Sequence, residues 1–210
     1  MNIAIIGTGN VGRALGGSFL RAGHDVVLAS HHPEGARAAA DEIGARSAAV
    51  HEAAEGADLV ALAVPYPALD DVIAATGGAL DGKIIVDVTN PLTADYSGLA
   101  LGDTSAAEQI RGKVAGGRVI KAFNSALAAR QADPAVDGTP IDGFVAGDDE
   151  EAKTKVLDLV AAIGMRPIDA GPLAMARYLE ALAFLNISLQ MRHGWTWQSG
   201  WKLIGPTSAS

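Results

Sequence analysis

The chain contains no cysteine, which excludes disulfide bonds, thiol nucleophiles and thiolate metal ligands. Basic residues are also few: 16 Lys and Arg stand against 24 Asp and Glu, and the net charge is −8. This balance argues against general binding to nucleic acid or to anionic membranes. No uncharged run approaches the ~20 residues that span a bilayer. A strand is predicted from residue 2, so we expect no signal peptide and a cytoplasmic location.

Apolar residues make up 49% of the chain and charged residues 19%, which is enough apolar material for a sizeable core. Short apolar runs alternate with stretches of helical spacing. Strands are predicted at residues 2–6, 26–29, 45–50, 58–64, 83–88, 118–123, 140–146 and 166–169. Helices are predicted at residues 13–22, 33–43, 68–79, 105–114, 150–163 and 174–191, with a loop at 131–139. This alternation predicts an α/β fold with a doubly wound, mostly parallel sheet.

A glycine-rich turn joins the first predicted strand to the first predicted helix, and its sequence is Gly7-Thr8-Gly9-Asn10-Val11-Gly12. Strand, glycine turn, helix and strand together form the dinucleotide-binding fingerprint of a Rossmann domain. We expect Gly7 to permit the tight turn, Gly9 to let the backbone approach a pyrophosphate, and Gly12 to let the helix lie close to the strand. The amino end of the helix would then face the phosphates.

The residues after the second predicted strand indicate which dinucleotide binds. NAD sites usually carry an acid here, whereas this chain has Ser30, His31 and His32, with Arg37 one turn later. A carboxylate would repel a 2′-phosphate, but hydroxyl, imidazole and guanidinium groups can donate hydrogen bonds to one. We therefore predict NADP rather than NAD, with the two histidines on a plain exposed loop as the alternative.

Ligands of such sheets lie beyond the carboxyl ends of the strands. We therefore place four residues, and the loop after the strand at 118–123, around the nicotinamide: Val64, Pro65, Asn90 and Pro91. The polar segment 93–102 is expected to cover this site. No catalytic residue is predicted, because no His–Asp or Lys pair is evident at these strand ends. The acids at 148–151 fit a helix amino terminus, so no metal site is predicted either.

The longest helical pattern, residues 174–191, carries an apolar stripe, and Arg177 and Glu180 are spaced to form an ion pair. All three tryptophans follow it, at positions 195, 197 and 201. This cluster indicates a buried lid or a dimer contact, or else ordinary packing onto the helix. We predict a homodimer, a Rossmann domain over residues 1–170 and a C-terminal extension over residues 171–210, with a frayed end at Ser208–Ser210.

Several strings of the chain are similar to those of the NADPH:coenzyme F420 oxidoreductase family, which is related to the reductase domain of the STEAP metalloreductases. They lie at residues 5–12, 29–30, 64–65, 121–125 and 147–150. The most specific is the string Arg-Pro-Ile-Asp-Ala-Gly-Pro-Leu at residues 166–173, which continues into residues 176–180. The resemblance covers nearly the whole chain.

This resemblance implies an NADP-dependent oxidoreductase that transfers a hydride between nicotinamide and coenzyme F420, a flavin or a similar small-molecule ring. Such a step needs alignment and exclusion of water more than an acid or base. By position, it assigns Thr8, Gly9, Asn10 and Val11 to the pyrophosphate and Ser30 and His31 to the 2′-phosphate. It assigns Val64, Pro65, Pro91, Asn124 and Ser125 to the nicotinamide. Two alternatives stay open: a small dehydrogenase or imine reductase, and a non-catalytic dinucleotide-binding redox sensor.

Overall fold

The computed structural model describes residues 1–205, which form an eight-stranded sheet and a separate two-stranded ribbon. The strands of the large sheet are β1 (Asn2–Ile6), β2 (Asp25–Ala29), β3 (Arg46–Ser47), β4 (Leu59–Leu62), β5 (Ile84–Asp87), β6 (Arg118–Ala122), β9 (Asp142–Gly147) and β10 (Arg166–Gly171). The ribbon is made of β7 (Ala135–Val136) and β8 (Thr139–Pro140).

The sheet order is β10-β9-β6-β5-β4-β1-β2-β3. The six strands from β3 to β6 are parallel, and β9 and β10 run in the opposite direction. The chain order reverses between β1 and β4, and in a doubly wound sheet a ligand crevice opens at such a point. The predicted doubly wound, mostly parallel α/β fold is therefore confirmed.

Helices cover both faces of this sheet. They are α1 (Asn10–Arg21), α2 (Pro33–Ile43), α3 (Val50–Glu55), α4 (Leu69–Ala75), α5 (Ala106–Lys113), α6 (Ala128–Ala132), α7 (Glu150–Ala162) and α8 (Ala176–His193). One core packs α1, α2 and α7 against the sheet, and the other packs α3, α4, α5 and the start of α8. Because β4 and β5 are buried on both faces, they appear in the sequence as nearly continuous apolar runs.

Several element boundaries differ from the predicted ones. The third strand is only two residues long, because it lies at the edge of the sheet and pairs with β2 alone. The segment predicted as a loop at 131–139 instead contains the end of α6 and part of the ribbon. The ribbon turns at Asp137 and Gly138, whose φ angles of 49° and 76° suit a tight hairpin. A short 3-10 turn, Leu173–Met175, precedes α8.

The acidic run at 148–151 serves the start of α7, as predicted. The Asp149 carboxylate accepts a hydrogen bond from the Ala152 amide at 2.8 Å, and Asp148 pairs with Arg111. Over residues 1–205, no three His, Asp or Glu side chains come together in a way that could hold a metal ion. Among the same residues, no helix has the length and apolar character to cross a bilayer.

A buried charge cluster attaches α8 to the sheet. The Lys121 ammonium lies 2.8 Å from Asp87 Oδ2, 2.8 Å from Glu180 Oε1 and 2.6 Å from the Thr89 carbonyl oxygen. All three side chains of this ion-pair cluster are almost fully buried. An ammonium has three N–H donors, and each one has an acceptor here. Lys121 therefore joins the carboxyl ends of β5 and β6 to α8.

The sequence reading missed this cluster and paired Glu180 with the wrong residue. The predicted Arg177–Glu180 ion pair does not form, because the two side chains face different neighbours. Arg177 binds the Glu108 carboxylate of α5 at 2.8 and 2.7 Å, whereas Glu180 faces the sheet. The one sequence signal for the cluster is a lysine inside the otherwise apolar β6.

Burial raises the pKa of Glu180, and the adjacent Lys121 ammonium offsets this only in part. Two ionised carboxylates beside one ammonium would leave a net negative charge in the core. A raised pKa favours neutral Glu180 and brings the buried charge closer to balance. Because the folded pKa lies above the unfolded one, this stabilisation is complete below the ordinary glutamate pKa and is lost as pH rises through the folded value.

We expect Lys121→Met to lower the free energy of unfolding by about 3–5 kcal/mol, because it leaves a buried carboxylate without its ion pair. The matched control is Lys113→Met, which removes a solvent-exposed pair with Asp70 and should cost less than about 1 kcal/mol. Urea denaturation of both variants measures the difference. Equal losses would show that the buried pair has no special role.

Glu180→Gln keeps an oxygen that can accept from Lys121 and from the Ala106 amide. We expect this variant to lack the decline in stability that the wild type shows as pH rises above the ordinary glutamate pKa of 4.5. Urea midpoints measured across pH for both proteins provide the comparison. Parallel curves would contradict a raised pKa at this position.

Candidate functional site

A cleft of about 460 Å³ opens at the carboxyl ends of β1, β4 and β5. Its walls come from three turns and one loop: residues 9–11, residues 63–67, residues 88–90 and residues 92–96 apart from Asp95. The cleft thus lies at the reversal of the strand order, where the topology places a ligand.

The three fingerprint glycines have different surroundings. A Cβ on Gly7 would lie 2.1 Å from the Ala63 carbonyl oxygen, and one on Gly12 would lie 1.9 Å from the Gly7 carbonyl oxygen. Gly7 also has a φ of +124°, which side chains rarely allow. A Cβ on Gly9 would meet no atom within 4 Å. Gly7 and Gly12 are therefore required by packing, whereas Gly9 keeps open space at the cleft.

The amino terminus of α1 faces this space with its backbone amides available. Its N-cap residue is Gly9, which makes no side-chain cap, and the first turn contains no acid. The helix starts at Asn10, so the last three fingerprint residues form its first turn. Unpaired N–H groups and the positive end of the helix dipole make such a terminus a binding site for an anion.

Two asparagines connect the ends of β5 and β6 beside the cleft. Asn124 Nδ2 donates to Asn90 Oδ1 at 2.9 Å, and Asn90 Nδ2 donates to the Asn124 carbonyl oxygen at 3.1 Å. Asn124 Nδ2 also donates to the Leu179 carbonyl oxygen of α8 at 3.0 Å. This pair lies next to the Lys121 cluster along the chain and fixes α8 against the strand ends.

A second, smaller pocket of about 140 Å³ lies behind this pair, and we call it the inner pocket. It shares Val11, Val88 and Asn90 with the cleft. Its other walls are residues 124–128 with Gln131, and three residues of the C-terminal segment: Ala183, Ile187 and Trp197. The inner pocket is therefore formed between the sheet and the C-terminal segment.

The segment after β5 borders the cleft, as predicted. Its tight turn is held by Asp95, whose carboxylate accepts from the Thr93 hydroxyl at 2.7 Å and the Ser97 hydroxyl at 2.8 Å. These hydrogen bonds lower the pKa of Asp95 to about 2. Tyr96, with a φ of 59°, is about half exposed at the cleft.

The structure brings together most of the residues predicted from the sequence. Those that line the cleft are Gly9, Asn10, Val11, Val64, Pro65 and Asn90, and those that line the inner pocket include Asn124 and Ser125. Gly7 and Gly12 lie beneath the turn, and Thr8 between them is half-buried. Pro91 differs from its expected place: it is buried, its carbonyl oxygen accepts from Ala100, and Leu92 lines the cleft instead.

The residues predicted to meet a 2′-phosphate lie outside both pockets, at the end of β2. The half-buried Ser30 hydroxyl is 3.0 Å from the His32 carbonyl oxygen and 3.1 Å from the His32 amide. His31 is exposed beside it, and Arg37 is exposed within α2. This arrangement leaves the imidazole and the guanidinium open to an anion.

The tryptophans do not form a buried lid. Trp195 and Trp197 are each almost half exposed, and Trp195 stacks on His193 with ring centroids 5.0 Å apart. The Trp201 carbonyl oxygen accepts from the Asp142 amide and anchors the tail to β9. Only Trp197 of the three lines the inner pocket.

Over the described residues 1–205, no Asp, Glu, Lys, Arg or His lines the cleft or the inner pocket. The nearby Lys121 uses all three of its donors within the core, so it has none to offer a ligand. The His51 ring is likewise used, with Nδ1 at 2.6 Å from the Thr76 carbonyl oxygen. The site can therefore bind and align a ring, but it has no charged group to protonate one.

Comparisons with known proteins agree with this geometry. Residues 2–91 match the family described as NADP oxidoreductase, coenzyme F420-dependent. The chain is 34% identical to the F420-dependent NADP reductase of Methanothermobacter thermautotrophicus, over 92% of this chain and 90% of that one. It is 30% identical to the metalloreductase STEAP3 of Rattus norvegicus, over 86% of this chain and 36% of that one.

Solved structures give the same result. A proposed F420-dependent NADP reductase from Arthrobacter sp. FB24 superposes with a TM-score of 0.88 at 29% identity, covering 97% of this chain and all of that one. An imine reductase from Aspergillus terreus superposes with a TM-score of 0.69 at 22% identity, covering 92% of this chain and 63% of that one, which shows a shared fold alone. On its sequence identity and coverage, the chain belongs to the family of F420-dependent NADP reductases.

Proposed function

We propose that this protein transfers a hydride between NADP(H) and coenzyme F420. In the direction of F420 reduction, the hydride leaves carbon 4 of the dihydronicotinamide and forms a C–H bond at the central ring carbon of the deazaflavin. NADPH becomes NADP⁺, and the reduced deazaflavin takes one proton from solvent. Family membership supports both substrates.

The observation that carries the proposal is the pair of adjoining spaces at the strand ends. The cleft and the inner pocket share three lining residues and lie where the sheet topology directs the nicotinamide. Hydride transfer needs two rings held in contact with water excluded. The uncharged lining suits this chemistry, because no alkoxide or amine has to be protonated.

We place the pyrophosphate at residues 8–11, where the open space at Gly9 and the amides of α1 form a cradle. The 2′-phosphate would lie at Ser30 and His31, with Arg37 within α2 as a further donor. The nicotinamide would lie beside Val64, Pro65, Asn90, Asn124 and Ser125. In this arrangement residues 1–170 form the NADP-binding domain, and the extension that starts at residue 171 completes the ring site.

The last five residues of the chain, with the predicted frayed end at Ser208–Ser210, lie outside the described part. The extension's role in the site therefore rests on α8 and the residues up to 205. Ala183, Ile187 and Trp197 supply its contribution to the inner pocket.

The imine reductase alternative has the fold in its favour, since such enzymes superpose on this chain. Its chemistry requires a proton donor near the ring. In the described part of the chain no Lys or His lines either pocket, which weighs against it. The non-catalytic sensor alternative would be favoured by a sealed nicotinamide face, whereas the structure has an open cleft there.

The direct test is to mix the purified protein with NADPH and coenzyme F420 and to follow the loss of both absorbances. We expect equal molar consumption of the two substrates, with a free flavin as a slower acceptor or none. A protein that binds NADPH but oxidises it with neither a deazaflavin nor a flavin would contradict the proposal.

Gly9→Ala and Gly12→Ala should separate cofactor binding from folding. At Gly9 the added methyl group enters open space, so we expect a stability change below about 0.5 kcal/mol and NADP affinity at least about tenfold lower. At Gly12 the methyl group meets the Gly7 backbone, so we expect a loss of about 1–3 kcal/mol or more in stability. Calorimetry and thermal melts of both variants measure these effects. Unchanged NADP affinity in Gly9→Ala would remove the pyrophosphate from this turn.

Ser30→Asp places a carboxylate where we expect the 2′-phosphate. Repulsion should weaken NADP binding about tenfold or more, while NAD, which lacks that phosphate, serves as the internal control with little change. The two dissociation constants of each protein measure this effect. Equal weakening of NADP and NAD would place the 2′-phosphate elsewhere.

We also infer a homodimer and a cytoplasmic location. Tyr178 and Leu185 are seven residues apart on one face of α8, and both are exposed by about half or more, as are Met191 and Trp195 nearby. An exposed apolar surface of this kind marks an association site. Light scattering at micromolar concentration should give a dimer mass, and Leu185→Glu should shift it to the monomer. A monomeric wild type would contradict the dimer.

A further inference from the structure

Two buried side-chain amides in the wall of the inner pocket have carbonyl oxygens without a hydrogen-bond partner. They are Asn124 Oδ1 and Gln131 Oε1, and the two residues are only 5% and 1% exposed. Buried polar atoms almost always have a partner, so an exception needs an explanation. The other buried unpartnered atoms of the described chain belong to residues that do not line this pocket.

The surrounding backbone fixes which atom of each amide is the oxygen. Gln131 Nε2 donates to the carbonyl oxygens of Phe123 and Ala126, each at 3.0 Å. Asn124 Nδ2 donates to the Leu179 carbonyl oxygen at 3.0 Å. A carbonyl oxygen can only accept, so turning either amide over would place two acceptors against each other. Both free atoms are therefore acceptors, and they call for N–H or O–H donors.

The rest of the inner pocket suits a flat ring. Val11 and Val88 supply apolar surface from the sheet side, and Ala183 and Ile187 supply it from α8. The Trp197 indole lines the pocket from the tail, and its backbone is held by a hydrogen bond from its amide to Gln190 Oε1 at 3.0 Å. A narrow apolar space with two acceptors in its wall matches an aromatic ring that carries N–H groups.

We propose that Asn124 and Gln131 form an acceptor pair that binds the N–H donors of a redox ring in the inner pocket. The shared chemistry is an amide or imide N–H, which occurs in the carboxamide of nicotinamide and in the imide of a deazaflavin. This inference rests on the proposed function and adds Gln131, on α6, as a residue that selects and orients the ring. Asn124 and Gln131 act here by binding and take no part in proton transfer.

The experiment compares ligands that differ only in these donors. In the first arm, NADP is compared with its 3-acetylpyridine analogue, which has a methyl ketone in place of the carboxamide and so lacks its N–H groups. In the second arm, the deazaflavin acceptor is compared with the same compound methylated at its imide nitrogen. One hydrogen bond to a buried acceptor corresponds to about tenfold in affinity. We expect the wild type to prefer the N–H-bearing ligand by about that factor in at least one arm.

Gln131→Met removes the acceptor and should reduce that preference to about threefold or less. The matched control is Ser18→Ala, which removes the 2.7 Å hydrogen bond from the Ser18 hydroxyl to the Gln131 carbonyl oxygen. This change loosens the contact between α1 and α6 but keeps the side-chain acceptor, so the preference should stay at the wild-type value. Because each result is a ratio for one protein, a general loss of stability cancels.

The arm in which the preference disappears identifies the ring: the first arm identifies nicotinamide and the second the acceptor. A wild type that treats both ligand pairs alike, or a Gln131→Met variant that keeps the wild-type ratios in both arms, overturns the inference. Either result with normal NADPH–F420 turnover leaves the proposed function intact. Absence of turnover in the wild type would instead contradict the proposed function.

A second variant tests the pocket without touching the amides. Ala183→Val adds two methyl groups from α8 into the inner pocket. We expect it to weaken binding of the full dinucleotide or of the acceptor at least about tenfold, while 2′-phospho-ADP-ribose, which lacks a ring donor, binds as in the wild type. Equal binding of all three ligands in wild type and variant would show that no ring enters this pocket.

Discussion

The ammonium of Lys121 is the group on which the arrangement of the site depends. It is fully buried, and a buried ammonium must have an acceptor for each of its three donors. Asp87, Thr89 and Glu180 supply these acceptors from the end of β5 and from α8. The positions of a strand end and a distant helix are therefore set relative to one atom.

The residues next to this cluster form the wall of the site. Thr89 is followed by Asn90, Glu180 is preceded by Leu179, and Asn124 lies three residues after Lys121 in the same chain segment. Asn124 binds both Asn90 and the Leu179 carbonyl oxygen, so the charged layer in the core is continued by an amide layer at the surface of the pockets. The charges stay inside the protein, and the ligand meets neutral groups.

The two ends of the proposed NADP site use different physics. At the phosphate end, recognition depends on backbone: a glycine that leaves space and a helix terminus with free amides. At the ring end, it depends on shape and on neutral hydrogen bonds, because no charged side chain of the described residues lines the pockets. This division suits a protein with a net charge of −8, whose long-range field repels anions and whose binding must rely on local donors.

Features set by local sequence could be predicted, and features set by the packing of distant segments could not. The glycine turn, the parallel strands and the positions of Val64, Pro65 and Asn90 follow from periodicity and from the rule that ligands meet strand ends. The partners of Arg177 and Glu180 do not, because helical spacing cannot show which side of α8 faces the sheet. Gln131 was also missed, since its segment was predicted as a loop and its role depends on contact with residues 123–126.

Pro91 shows the same limit within a correctly predicted turn. The sequence places the turn at the ligand site, but which of three successive residues points into the cleft depends on the return of the segment after β5. There the Ala100 amide binds the Pro91 carbonyl oxygen, and the side chains on either side of Pro91 line the cleft.

The central claim is that the sheet and α8 together hold two rings in direct contact, so that hydride passes between them without exchange with solvent. The most direct measurement uses NADPH deuterated at carbon 4, on the face that is transferred, and locates the label in the reduced deazaflavin by mass spectrometry. The account predicts one deuterium on the central ring carbon of each product molecule in ordinary water. A product that carries hydrogen from water at that carbon, despite full consumption of the labelled NADPH, would contradict it.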